Sequence, residues 1–231
     1  NVSPSVSFEA LSLDHGVITL DALAPVDTER ILGVAPPQGG TVTAPGGEAL
    51  TLPEGALPEM TPVVLTAVSE VDLNLALPPA LEFVGGVDLS LAGSDLEAPA
   101  VLSVPLPPGF VEQGRLLLVR LEDVDGATRM VLVGLGEIQG SRIVSAYQLA
   151  DAPDIELEGI LFKGRYVFVQ VPGGAGFISG MVFDTGASAL AGALISSNGL
   201  PIVSFSSATG DFLSAVAVDD FILTAVDPVS R

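Results

Sequence analysis

"GRLLLVRLEDVDGATRMVLVGLGEI", Gly114–Ile138, holds two apolar runs on either side of "EDVDGA". Asp125-Gly126 lies between them. Asp-Gly is a dipeptide that two-residue hairpin turns favour, because such turns need a positive φ that glycine adopts without steric cost. The stretch therefore predicts two antiparallel strands. Outward from it the same grammar continues. Upstream, "ALEFV" and "VDLSL" flank Gly85-Gly86, which predicts a hairpin or a bulge, and "AVLSVPLPP" alternates until Pro107-Pro108. Downstream, "SRIVSAYQL" is followed by "ILFKGRYVFVQV", which ends at Pro172. After "PGGAG" (Pro172–Gly176) come "FISGMVFD", "ALAGALISS", "LPIVSFSS", "GDFLSAVAV" and "DFILTAVDP", five short strands with small turns. No helical period is sustained beyond two turns.

Composition agrees. The 231 residues include 26 Gly and 18 Pro, Lys163 is the single lysine, and Val, Leu, Ile and Thr fill the runs between the turn residues. That is a strand-and-turn composition. Acidic residues outnumber basic ones 28 to 8, a net charge of −20. Phosphate backbones and anionic membrane surfaces bind through Lys and Arg, so neither nucleic acid nor such a membrane surface is an expected partner. Although 48% of residues are hydrophobic, no run approaches the roughly 18–20 uninterrupted apolar residues of a spanning helix. The apolar excess must lie in cores or in contacts between molecules. There is no cysteine, which fits many bacterial surface proteins. No signal-peptide pattern is present, and the start at Asn1 reads as a processed product, a fragment or an expression piece.

The expected organisation is an N-terminal strand or linker segment at 1–35, a β-sandwich module at 36–172 and a smaller β-sandwich at 173–231. The expected fold class is all-β, with tandem antiparallel β-sandwiches.

Two resemblances refine this. Gly39-Gly40-Thr41-Val42-Thr43, the turn glycines Gly46-Gly47, Leu50-Thr51-Leu52, then Pro53-Glu54-Gly55-Ala56-Leu57-Pro58 and Thr61–Leu65 follow one another in the order and spacing of the ZU5 family. The stretch Gly39–Glu70 resembles that family, and the strands to Pro172 fit the tail of such a module. Some members cleave themselves at a downstream His-Phe-Ser. Here the corresponding region reads "SRIVSAYQLA" and the one histidine, His15, lies far upstream, so the resemblance does not imply self-cleavage. Gly180-Met181-Val182-Phe183-Asp184, Gly186, Leu190, Gly192–Ile195, Gly210–Ser214 and Leu223-Thr224-Ala225 resemble the carboxypeptidase regulatory-like domain, a small transthyretin-like sandwich. The Thr-Asp usual before its Gly-x-Phe turn is replaced by "SSAT". These resemblances imply spacer and stabilising modules of large, repetitive bacterial extracellular proteins.

Candidate chemistry is sparse. "FDTGAS" (Phe183–Ser188) matches an aspartic-protease motif, but that chemistry needs two carboxylates sharing a proton, and the motif occurs once. The regulatory-like turn explains the same residues. Glu122, Asp123 and Asp125 are candidate calcium ligands on a hairpin, against a solvated Asp-Gly turn, and an EF-hand would spread its oxygens over about 12 residues. Asp219-Asp220 reads as a turn, with adventitious calcium as the alternative. His15 lacks companion ligands. "GLGEIQG" and "GGAGFISG" miss the phosphate-cradle spacing by one residue. Aromatics make up 5% and tryptophan is absent, so a stacking platform for sugars is poorly supplied. No catalytic residue and no cofactor are expected.

The expected role is a non-enzymatic structural subunit or repeat unit of a bacterial extracellular or cell-surface assembly, such as a filament, sheath or adhesin stalk. Self-association is expected through β-edges and apolar faces, with Val6, Phe8, Leu11 and Leu13 of the N-terminal strand as candidates to fill a neighbour's groove. The alternatives are a binding module for glycan or protein, and an accessory domain of a secreted hydrolase.

Overall fold

The structure, a computed structural model, describes residues 31–227 apart from 74, 94, 125, 150, 151, 219 and 220, and of 31–34 and 152–156 only the backbone. The assembly candidates Val6, Phe8, Leu11 and Leu13, together with His15, Asp125 and Asp219-Asp220, lie outside the described residues.

The chain is all-β, as its turn-rich sequence predicts. The first strands are β1 (Ile31–Ala35), β2 (Gly40–Thr43), β3 (Ala49–Leu52) and β4 (Thr61–Val68). A 3-10 turn at Glu70–Leu73 leads to β5 (Glu82–Leu91), β6 (Val101–Pro105), β7 (Arg115–Val124), β8 (Ala127–Gln139) and β9 (Arg142–Ala146). After them come the short β10 (Gln148–Leu149), β11 (Ala152–Glu156) and β12 (Gly164–Val171). The last five are β13 (Ala175–Met181), β14 (Leu194–Ser197), β15 (Ile202–Phe205), β16 (Asp211–Ala217) and β17 (Leu223–Val226).

The β7–β8 ladder ends at the Val124–Ala127 pair, and Gly126, just before Ala127, takes φ 76°. Gly85-Gly86 lie within one continuous strand, β5, whose pairing with β12 slips by one residue beside them, so this is a bulge rather than a hairpin. In the Pro53–Pro58 turn, Gly55 takes φ 79° and donates its N–H to the Pro37 carbonyl at 2.9 Å. Ala56 and Leu57 then turn inward and are buried.

The main sheet runs β1-β4-β5-β12-β7-β8-β9-β6-β3-β2. Its two end strands are consecutive in the chain, joined by a turn in which Gly39 N–H donates to the Pro36 carbonyl at 3.0 Å. The sheet is thus rolled into a nearly closed barrel, which removes most of its edges. Leu50, Leu65, Leu89, Leu102, Leu118, Ile143, Tyr166 and Phe168 fill the interior, each fully buried. Gly136 is an interior position with no room for a side chain, since a Cβ there would meet Leu116, Ile143 and Phe168 at 2.8–3.1 Å.

The dense apolar runs of β7 and β12 have a simple cause. Leu116, Leu118, Tyr166 and Phe168 point into the barrel, whereas Leu117, Val119, Val167, Val169 and Val171 point outward into a second core. A strand covered on both faces loses its polar alternation. The second core is completed by Ala175 of β13, Ile202 of β15, and Leu213 and Ala215 of β16. The last five strands therefore lie against the outside of the barrel. They form a β13–β16 pair and a β17-β14-β15 sheet. β15 also pairs with β8 through Ile202–Met130 and Val203–Val131, the one parallel ladder among the described strands. Arg115 caps the join, its guanidinium 5.0 Å from the centre of the Phe177 ring.

Candidate functional site

A concavity opens where the last strands meet the barrel. It has a volume of about 740 Å³ and is framed by β8, β13, β15, β16 and the loop at Leu157-Glu158. Leu132 and Leu157 line its barrel side, Met181, Phe212 and Leu213 its outer side, and Ser204 its β15 wall. Glu158 and Asp211 are the charged residues that line it.

Backbone bonds hold Glu158 in place from both sides. β8 carries a bulge at Val133, where the pairing with β7 slips between Leu118 and Val119. The Val133 carbonyl accepts the Gly159 N–H at 2.8 Å, and the Leu157 N–H donates to the Tyr147 carbonyl at 2.8 Å. β8 also changes partner along its length, pairing β15 at Met130-Val131 and β9 from Leu135 onward. The cleft lies at this fork.

Beneath Glu158 sits Arg120, a 9%-exposed arginine that follows the buried run Leu116–Val119 on β7. Its NH2 group donates to Glu122 Oε2 at 2.7 Å, its NH1 lies 3.4 Å from Glu158 Oε2, and its guanidinium stacks 4.8 Å from the Phe162 ring centre. Burial works against the Arg120 charge, but the Glu122 hydrogen bond and the Glu158 carboxylate outweigh it and hold its pKa above the ordinary value. Burial pushes the Glu158 carboxyl up, and Arg120 opposes that shift without cancelling it. On the β15 wall, Ser204 is 4% exposed and its hydroxyl has no hydrogen-bond partner among the described residues. Its neighbour Ser206 is fully engaged, accepting from Ala193 N–H at 2.9 Å and donating to the Leu190 carbonyl at 2.6 Å. Asp211 Oδ2 accepts from Thr209 Oγ1 at 2.6 Å.

The residues singled out from sequence fall elsewhere. Glu122 is the ion-pair partner of Arg120, and Asp123 follows it on β7, exposed, where successive side chains point to opposite faces. No cluster of three or more His, Cys, Asp or Glu suited to a metal ion occurs among the described residues. Asp184 is exposed, and its Oδ1 accepts both the Gly186 and Ser188 N–H groups at 2.8 Å. Its backbone N–H also bonds the Ser188 carbonyl at 2.8 Å, and Ala187 takes φ 62°. The Asp-Thr-Gly motif is thus a turn closed by its own aspartate. No helix among the described residues is long and apolar enough to cross a membrane.

Sequence reasoning passed over Arg120, Glu158 and Ser204. The one available signal was an arginine inside "RLLLVRL", since a charge amid a doubly buried run needs a partner somewhere in the fold.

No protein-family model matches the chain, and no curated protein matches it.

The second notable surface is an edge. β17 pairs with β14 alone among the described strands, through Leu194–Val226 to Ser197–Leu223. Its residues, Leu-Thr-Ala-Val, include no charge and no proline, and Thr224 and Ala225 are exposed. Val218 and Ile222, just before it, are each 68% exposed.

Proposed function

We propose that this chain is a non-enzymatic structural subunit or repeat unit of a bacterial extracellular or cell-surface assembly, held together by β-edge and apolar contacts. The observation that carries this is the edge at β17, which has no second neighbour among the described strands. Natural sheets protect such edges with lysine, proline, bulges or a covering element, because unpaired N–H and C=O groups recruit another strand. An uncharged strand beside exposed Val218 and Ile222 offers both the hydrogen bonds and the apolar flank for strand addition. The resemblance of Gly39–Glu70 to ZU5 modules, and of Gly180–Ala225 to regulatory-like modules, supports the same reading.

A net charge of −20 repels like copies at long range. Association should therefore strengthen as salt or divalent cations screen it. Light scattering across salt and calcium concentrations is the test. Wild-type mass should rise with screening. Ala225→Lys, which places a charge on the β17 edge, should keep the chain monomeric, and so should deletion of residues 1–13 if they supply the added strand. A chain that stays monomeric under all conditions overturns the proposal.

A further inference from the structure

We propose that Asn198-Gly199, in the turn between β14 and β15, is a site of spontaneous covalent modification, where Asn198 is converted through a cyclic imide into aspartate and isoaspartate.

The sequence supplies the reactants. The side-chain amide of an asparagine can be attacked by the main-chain nitrogen of the residue that follows, and the attack is hindered least when that residue has no Cβ. Asn1 precedes Val2 and Asn74 precedes Leu75, whereas Asn198 alone precedes a glycine. The fold requires that glycine, because a Cβ at Gly199 would lie 2.7 Å from the Ala217 Cβ on β16.

The structure leaves the reacting groups open. Asn198 and Gly199 are both exposed, so water reaches them. The Gly199 N–H, the nucleophile, has no hydrogen-bond partner among the described residues. Asn198 Oδ1 accepts the Ile222 N–H at 2.7 Å. A backbone donor therefore already points at the oxygen on which negative charge develops when the amide carbon is attacked. The Asn198 amide nitrogen, the leaving group, has no partner among the described residues.

In the first step the Gly199 nitrogen bonds to Asn198 Cγ and gives its proton to water, and the bond from Cγ to Nδ2 breaks as ammonia leaves. Water then opens the ring. Cleavage of the new bond at Cγ restores the main chain and leaves aspartate. Cleavage at the main-chain carbonyl leaves isoaspartate, whose main chain runs through Cβ and is longer by a methylene. Water is taken up and ammonia released, with no oxidation or reduction. Both products add a negative charge at neutral pH. Aspartate keeps an oxygen within reach of the Ile222 N–H. Isoaspartate lengthens the link between β14 and β15 and draws its carboxylate back to Cα, so this clamp on the residue before β17 is lost. The modification does not depend on association through β17.

The test stores the full chain at mildly alkaline pH and physiological temperature and maps it at intervals by mass spectrometry, with fragmentation that separates isoaspartate from aspartate. Asn198 should convert at least about tenfold faster than Asn1 and Asn74. Asn198→Gln, whose ring would be larger, should stay unmodified at that position. In aged protein the Ile222 amide should lose protection from hydrogen exchange in proportion to the isoaspartate formed, whereas Asn198→Asp should keep it. Conversion at Asn198 no faster than at Asn1 or Asn74 overturns the proposal. So does an Asn198 that stays intact in the folded chain and converts only in guanidinium, since the Ile222 hydrogen bond would then hold the amide away from Gly199. Unchanged Ile222 protection in protein that contains isoaspartate overturns the loss of the clamp.

Discussion

Ile202 of β15 lies beside Met130 of β8 in a parallel ladder, and its side chain is fully buried in the core shared by the barrel and the last five strands. That contact joins the two ends of the fold. Ile202→Ala removes buried methyl and methylene groups from a packed position, so a loss of about 2–5 kcal/mol is expected. Chemical denaturation followed by circular dichroism and by tyrosine fluorescence should give one coincident transition in both proteins, shifted to lower denaturant in the variant. Two separated transitions in the wild type would show that the shared core does not couple the two parts.

Two glycines should respond differently to the same small substitution. Gly55 sits at φ 79° in open space, so Gly55→Ala carries only the backbone penalty of a left-handed residue, about 1 kcal/mol. Gly86 has no such φ, but a Cβ there would come 2.6 Å from the Tyr166 carbonyl. Gly86→Ala must displace β12 and should cost more than Gly55→Ala. Melting midpoints of the two variants decide the order.

Tyr147 and Tyr166 are the two tyrosines of the chain, and neither should ionise normally. Burial pushes Tyr147 up to about 12, against the pull of its Ser145 hydrogen bond, and burial also raises Tyr166. A phenol raised in the folded state contributes stability below its unfolded value near 10, and that contribution is lost as pH rises toward the folded value. Phenolate absorbance should therefore lag behind free tyrosine and appear together with unfolding. A normal titration with unchanged far-ultraviolet signal would contradict this. Tyr147→Phe removes the hydroxyl that donates to the Ala100 carbonyl and pairs with Ser145 Oγ at 2.9 Å. It should cost roughly 1–2 kcal/mol.

Glu158 and Asp72 should titrate on opposite sides of ordinary carboxylates. Burial raises Glu158, so the folded state holds that proton longer, and its contribution to stability is fullest at low pH and lost as pH rises through the folded value. The Ser69 hydroxyl, 2.5 Å away, and the Ser69 N–H lower Asp72, whose contribution is present above its unfolded value and lost as pH falls through the folded one. Carboxyl carbon NMR should show both displacements. Arg120→Gln should raise Glu158 further, because the opposing charge 3.4 Å away is gone. An unmoved Glu158 midpoint would mean that Arg120 serves only Glu122.

Much of the fold is legible in the chain itself. The glycine turn before Ala127, the alternation of "AVLSV" and the proline stops all act over two to four residues, so composition and order alone dictate strands, turns and the all-β class. Gly55 belongs to the same category, since a turn of that shape needs a positive φ whatever surrounds it. The partners of the strands were decided only in three dimensions. Nothing local in "LPIVSFSS" distinguishes pairing with β14 from parallel pairing with β8. Nothing in "RLLLVR" says whether its second apolar face meets another chain or, as found, β13, β15 and β16. Arg120 and Glu158 are distant in sequence, and they pair because the rolled sheet and the bulge at Val133 bring β7 and the Leu157-Glu158 loop together. Strand formation depends on neighbours along the chain. A cleft depends on which buried faces find each other, and that is set by the total apolar area covered and the backbone hydrogen bonds satisfied across the whole fold.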